Sequence, residues 1–231
     1  LQQHGFIPQA QTLFLEMMSR GVSGDRSFMK NEMVLWHNQY LSCCMELNQW
    51  DTVAEYAKSV DNGTLRLDAA AKLYDWSYLK TIVGPSAQIE EGPEFTMVKA
   101  QMQMSDMTLL DVDKMCKTSL SQCILRWWQM PESSPSSYAP VLHSFQRSVE
   151  LMESWRVMME FSMQGGQAGQ YQDLKDIADT WKLRTPNEWE PVRWWSDVLT
   201  WRNHVYNTTI RQFSNLQSVN PNLHQLGYRD K

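Results

Sequence analysis

Apolar side chains recur in steps of three and four along most of this chain, a spacing that lets a segment bury one stripe only as an α-helix. Met33, Trp36, Tyr40, Cys43 and Leu47 form one such stripe. Asn48-Gln49-Trp50 follows as a tight connection. Asp51 is expected to cap a second helix, marked by Val53, Ala54, Ala57 and Val60, and Asn62-Gly63 to end it. Two helices joined by so short a turn run antiparallel. The unit is a helical hairpin, because Asn-Gly signals a β-hairpin only between alternating strands.

The same unit recurs. Pro8 opens a helix through Leu13, Phe14, Met17 and Met18 that Gly21 is expected to stop, after an entry turn at Gly5. Its preceding partner is expected to lie outside the sequence. Residue 1 is Leu, and the opening residues have neither the basic start nor the apolar run of a signal peptide, so the chain reads as a piece of a longer protein. Leu109, Val112, Cys116, Leu120, Cys123 and Trp127 mark a helix ending before Pro131, and Leu142, Phe145, Val149, Met152, Trp155, Met159 and Met163 mark a longer one. Between them residues 130–140, with three prolines and four serines, read as an exposed flexible loop. Residues 164–170, carrying Gly165, Gly166 and Gly169, read as a second; no Gly-Lys-Ser/Thr ending follows that would cradle a phosphate.

Leu174, Ile177, Ala178 and Trp181 mark a helix closed by Pro186. From about Pro191, Trp194, Val198, Trp201 and Val205 form one stripe and Trp195, Leu199, Tyr206, Ile210 and Phe213 a second. A helix apolar on two faces must be sandwiched, as in the middle layer of a stack of repeats. Residues 65–104 read as three shorter helices. The expected fold is all-α, with nine or ten helices and no strand. The 11 Trp and 15 Met suit the irregular gaps between stacked helices, and Trp50 and Trp201 are expected to anchor them.

Most chemistry is argued down by spacing. The net charge of −5 and the lack of any Lys/Arg cluster argue against direct nucleic-acid binding, and no run approaches the ~18 apolar residues of a membrane span. Cys43, Cys44, Cys116 and Cys123 form no C-x-x-C pair; seven helical residues separate the last two by roughly 10 Å, too far for a disulfide. Reduced core thiols are expected. His4, His37, His143, His204 and His224 lie in different segments, and His37 is too far along its helix to activate Cys43 or Cys44. Asp111-Val112-Asp113 is the nearest approach to the aspartates that hold magnesium in a terpenoid-type synthase, but residues two apart on a helix point in different directions. Arg126-Trp127-Trp128, Arg193-Trp194-Trp195 and Trp201-Arg202 could stack single-stranded bases; helical spacing instead places the Trp on the buried stripe, with Arg covering its edge or stacking by cation–π. No catalytic, cofactor-binding or metal-ligating residue is assigned.

Four strings occur in an order that resembles the FAT region of the PI3-kinase-related proteins: QHGFIPQAQ from Gln3, ELNQWDTVAEYAK from Glu46, QDLKDIADTWKLRTP from Gln172 and WWSDVLTWRNHVY from Trp194. The resemblance implies a TPR-like α-solenoid, with residues 1–231 part of one FAT-type domain that packs on a kinase-like domain further along the full chain. The likeness is strongest to the pseudokinase branch. It implies a non-enzymatic scaffold in the nucleus, shared by histone acetyltransferase complexes of the SAGA and related types, whose partners are other subunits and transcription activators. The alternative it leaves open is the regulatory FAT region of an active kinase, which an intact kinase catalytic loop beyond Lys231 would mark.

Overall fold

The structure, a computed structural model, describes residues 1–22, 30–83, 92–130, 135–164 and 168–212. Within them a short 3-10 turn, Gln2–His4, precedes α1 (Ile7–Val22), α2 (Lys30–Glu46), α3 (Trp50–Ser59), α4 (Gly63–Lys72), α5 (Trp76–Ile82) and α6 (Pro93–Ser105). Then come α7 (Val112–Gln129), α8 (Pro135–Gln164), α9 (Ala168–Leu183) and α10 (Val192–Gln212), with no strand among the described residues. The fold is all-α, and the described part of residues 65–104 does hold three short helices. No described helix is long and apolar enough to cross a membrane.

One turn geometry repeats four times. Asn48, Asp61, Tyr74 and Met107 each have positive φ, between 51° and 57°, just after a helix. After each, the next N–H reaches back into the preceding helix: Gln49 to Cys44 O, Asn62 to Ala57 O, Asp75 to Ala70 O and Thr108 to Gln103 O, at 2.8–3.1 Å. This is the left-handed C-terminal cap that reverses the chain within a few residues. Asn and Asp tolerate the conformation; Tyr and Met do so at a cost of roughly 1–2 kcal/mol that their packing must offset. Tyr74 stacks on a ring of α10, and Met107 packs on the main core.

These turns correct two expected boundaries. Asp51 does not cap α3. The turn at Asn48 is so tight that α3 starts at Trp50, and Asp51 sits in its first turn, facing the positive end of the helix. Asn62 does not end α3 either; its side chain accepts from Leu65 N at 3.1 Å and caps α4. Asn62→Ala is therefore expected to cost about 1 kcal/mol in chemical denaturation, with the loss of protection in hydrogen exchange confined to the first turn of α4.

Both expected loops shrink. Pro135–Pro140 is helical, with Pro135 opening α8 where a missing N–H costs nothing and Pro140 inside the helix. Packing of α8 along α7 overrides the local bias of its prolines and serines. Residues 131–134 and 165–167 lie outside the described residues, and Gly169 falls in α9.

The core is a series rather than a sphere. One cluster joins α2, α3 and α4 around Cys44, Trp50 and Val53; a second joins α4, α5 and α6 around Leu67, Leu79 and Val98. The largest joins α6 through α10 around Met97, Leu151, Phe161, Trp181 and Trp201. Helices α4 and α6 each feed two clusters from opposite faces, which is how a helical solenoid buries residues only against neighbouring layers. Trp50 and Trp201 are 9% and 4% exposed, in line with the anchoring expected of them. All four cysteines are buried free thiols. The last helix departs from simple stacking: α10 lies against α8 and also reaches back to α2.

Candidate functional site

The reach of α10 across the stack is made by charged side chains. Asp197 of α10 pairs with Lys72 of α4, and its Oδ2 lies 3.1 Å from His143 Nε2 and 3.7 Å from Arg147 Nη1, both on α8. Arg147 also holds Glu94 of α6 at 3.1 Å, and the Ser144 hydroxyl donates to the other Glu94 oxygen at 2.5 Å. His143 stacks on Trp194 at 4.9 Å, and the Lys72 ammonium lies 5.3 Å from the Trp50 ring centroid. One polar seam thus ties four helices that are distant in sequence.

Beside it Asp68, Tyr74, Gln101 and Thr200 help to line a cavity of about 50 Å³. That is room for about three water molecules, well below the ~300–1,000 Å³ of a ligand cleft. Burial pushes the Asp68 carboxyl up to about 6 and pulls the Lys72 ammonium down to about 6. Burial also pushes Glu94 up, but Arg147, the Ser144 hydroxyl, Lys72 and His143 outweigh it and leave that carboxyl below its ordinary value. Burial, then Arg147 and Lys72, draw His143 down to about 3, so the neutral ring donates its Nε2–H to Asp197.

A second seam closes the other end. Arg202 of α10 binds Glu150 of α8 bidentately, Nε to Oε2 at 2.9 Å and Nη2 to Oε1 at 2.7 Å, with the two side chains 0% and 1% exposed. Gln146 reinforces it by donating to Glu150 at 3.1 Å and to the Arg184 carbonyl at 2.6 Å. Glu153 accepts from both Trp181 Nε1 and Arg184 Nη1 at 2.8 Å, tying α8 to the end of α9. Spacing places Arg202 at the edge of a Trp stripe or stacked on an indole; its guanidinium does lie over the Trp181 ring, 5.6 Å from the centroid, and it is also a fully buried ion. The signal available was a charge on a helix with apolar residues on two faces, which demands a buried partner, but spacing alone does not say which one.

The remaining histidines and acids are scattered. His37 Nδ1 is 2.7 Å from the Met33 carbonyl of its own helix, and His4 lies in the opening 3-10 turn; His224 is outside the described residues. Asp111 starts α7, Val112 is buried, and Asp113 pairs with Lys117 at 2.5 Å. Among the described residues no group of three His, Cys, Asp or Glu is placed to hold a metal ion. Burial pushes the Cys116 thiol up to about 12 and raises Cys43 and Cys123, so these thiols stay protonated at neutral pH. What the arrangement does is position helices.

Not every Trp is core, as the expected buried stripe required. Trp127 and Trp128 are 40% and 76% exposed. Trp127 stacks on Tyr138 at 4.7 Å and rims an apolar groove of about 260 Å³ between α7 and α8 with Ile124, Leu142 and Phe145. Adjacent positions on a helix lie about 100° apart, so a pair of Trp cannot share one stripe.

His204 gives the buried ring system a pH dependence. It stacks on Tyr74 at 5.1 Å and lies 5.1 Å from Trp76 and 5.5 Å from Trp201, and burial draws it down to about 4. Unfolded His titrates near 6.5, so between pH 6.5 and 4 the unfolded chain binds more protons and stability falls as pH falls. His143 acts in the same direction down to about 3; Asp68, raised to about 6, acts oppositely below pH 6 and offsets part of the loss. His204→Phe is expected to flatten the acid limb, read as a smaller drop in urea midpoint between pH 7 and pH 4.5 than in the parent chain.

Comparison with known proteins agrees with this architecture. The FAT domain model matches residues 36–223. The chain is 26% identical over 220 residues to Transcription-associated protein 1 of Drosophila melanogaster. It is 24% identical over 215 residues to the SAGA complex/NuA4 acetyltransferase complex subunit TRA1 of Saccharomyces cerevisiae, and 25% identical over 219 residues to the Transformation/transcription domain-associated protein of Homo sapiens. Each match covers 89% of this chain and only 6% of the relative's length. The chain belongs to the FAT domain family.

Proposed function

We propose that these residues form a non-catalytic scaffold segment within a pseudokinase subunit of histone acetyltransferase coactivator complexes, acting in the nucleus. In that role they support recruitment of transcription activators and acetylation of chromatin. The observation that carries the reading is the pair of buried ionic seams. They fix α10 across the stack and use the buried charges to position helices, and the cavity the first seam lines among the described residues holds only about 50 Å³. The match to a yeast subunit named for SAGA and NuA4 supports the choice of complex. The stack is taken to pack on a kinase-like domain of the same full-length protein and to present its outer faces to other subunits.

The test is affinity purification of the full-length protein from nuclear extract. The expected result is co-purification of a histone acetyltransferase activity and no phosphate transfer to protein substrates. Phosphate transfer abolished by mutating a kinase catalytic loop in the same chain would establish the regulatory region of an active kinase instead.

A further inference from the structure

We infer that the cavity between α4, α6, α8 and α10 is a hydrated proton-binding site, where Asp68 takes up a proton and in its neutral form seats α10 more firmly on the stack. The cavity holds about 50 Å³ and is lined from all four helices. The Gln101, Ser196 and Thr200 side chains line it and make no direct hydrogen bond among the described residues. A polar cavity of this size holds water, which gives such groups their partners.

Asp68 stands apart from the other carboxylates of the cavity. Lys72 already serves Asp197, and Arg147 serves both Glu94 and Asp197. Asp68 has no ion pair and no direct hydrogen bond among the described residues. Other described carboxylates without a direct partner, Asp51, Glu55 and Asp173 among them, are exposed to bulk water, whereas Asp68 is half-buried. The remaining groups nearby do not supply a counter-charge. Arg193 of α10 pairs with Glu46 at 3.6 Å, His143 is neutral, and burial raises the Tyr74 phenol so that it stays protonated. Ionised Asp68 is therefore an unpaired negative charge across a small cavity from Asp197 of α10, and like charges so placed oppose the seating of that helix. A proton on Asp68 removes the repulsion and lets the carboxyl donate to water. Burial and the Glu94 charge raise this carboxyl to about 6, against the pull of Lys72 and Arg147, so the change falls near neutral pH.

The seated state binds the Asp68 proton below about 6 and the lifted state only below 3.8, so through this group α10 is held more firmly as pH falls from 7.5 to 5. Lys72, His143 and His204 act the other way, since burial lowers all three and they bind protons more readily once α10 lifts. The test therefore compares two chains at each pH. Hydrogen exchange, read by mass spectrometry on the full-length protein in its purified complex and corrected for intrinsic rates, follows residues 192–212 in the parent and in Asp68→Asn. Asn is close in shape and neutral throughout. Protection of the variant relative to the parent should be roughly tenfold higher at pH 7.5 than at pH 5. Glu55→Gln, on an exposed position of α3, should show no such change. A relative protection that does not vary with pH, one that varies in the opposite direction, or the same change in Glu55→Gln would overturn the inference. Asp68→Ser, neutral and smaller, should repeat the Asn result. Loss of the fold in both variants would overturn it too, because a neutral residue is expected to be favourable there. The readout is the seating of α10, so it stands or falls apart from the scaffold reading.

Discussion

Arg202→Leu is expected to destabilise the fold by about 3–5 kcal/mol, because it strands the Glu150 carboxylate in a site with 1% exposure. The size follows from an imbalance. Removing two charges from water costs several kcal/mol each, and the bidentate contact offsets this only while both partners are present. Glu150 has lesser support in Gln146, which donates at 3.1 Å, and that single neutral donor does not replace a guanidinium. Arg202 Nη1 is itself buried without a hydrogen-bond partner, so the pair begins from a position of incomplete satisfaction. The double variant Glu150→Leu/Arg202→Leu should therefore recover most of the loss, since apolar groups of similar volume often replace a buried ion pair with little net change. Urea denaturation of the parent, both single variants and the double variant gives the full cycle. A loss below about 1 kcal/mol for Arg202→Leu would mean that the side chain is solvated and that α10 does not sit where we describe it.

The second large effect is expected at Trp201. Its indole is 4% exposed in the largest core cluster, donates to the Ser154 hydroxyl at 3.3 Å and lies against His204. Trp201→Ala leaves a cavity among rigid neighbours and should cost about 3–5 kcal/mol. Trp128, 76% exposed on the outer side of α7, is the matched control, and Trp128→Ala should change stability by no more than about 0.5 kcal/mol. Comparable losses at the two sites would show that the assignment of faces on α7 is wrong.

The contrast between these two residues shows what the sequence could and could not display. Periodicity found Trp201 because its stripe partners Val198 and Val205 lie on the same helix, and all three are buried. The presence of three short helices in residues 65–104 was legible, but their starts were not: Asn62, expected to end α3, caps α4, Asp75 caps α5 and Pro93 opens α6. Trp128 was misplaced because proximity to a stripe in sequence is not membership of it. The left-handed turns at Tyr74 and Met107 carry no local mark, for neither residue favours that conformation; tertiary packing selects it. The seams were illegible for a different reason. Lys72 and Asp197, or Glu150 and Arg202, are far apart along the chain, and each looks like an ordinary helix-surface charge until the layers are stacked. The FAT resemblance, carried by short strings in order, supplied the family that periodicity alone could not.

The role proposed for this segment is that of a structural layer inside an acetyltransferase assembly. Crosslinking mass spectrometry of the intact complex containing the full-length protein tests it most directly. The account predicts links from the exposed Lys114, Lys175 and Lys182 to other subunits or to the kinase-like domain of the same protein, with the links preserved when nucleotide is added. Links confined to the segment itself, in a complex that otherwise crosslinks extensively, would contradict it.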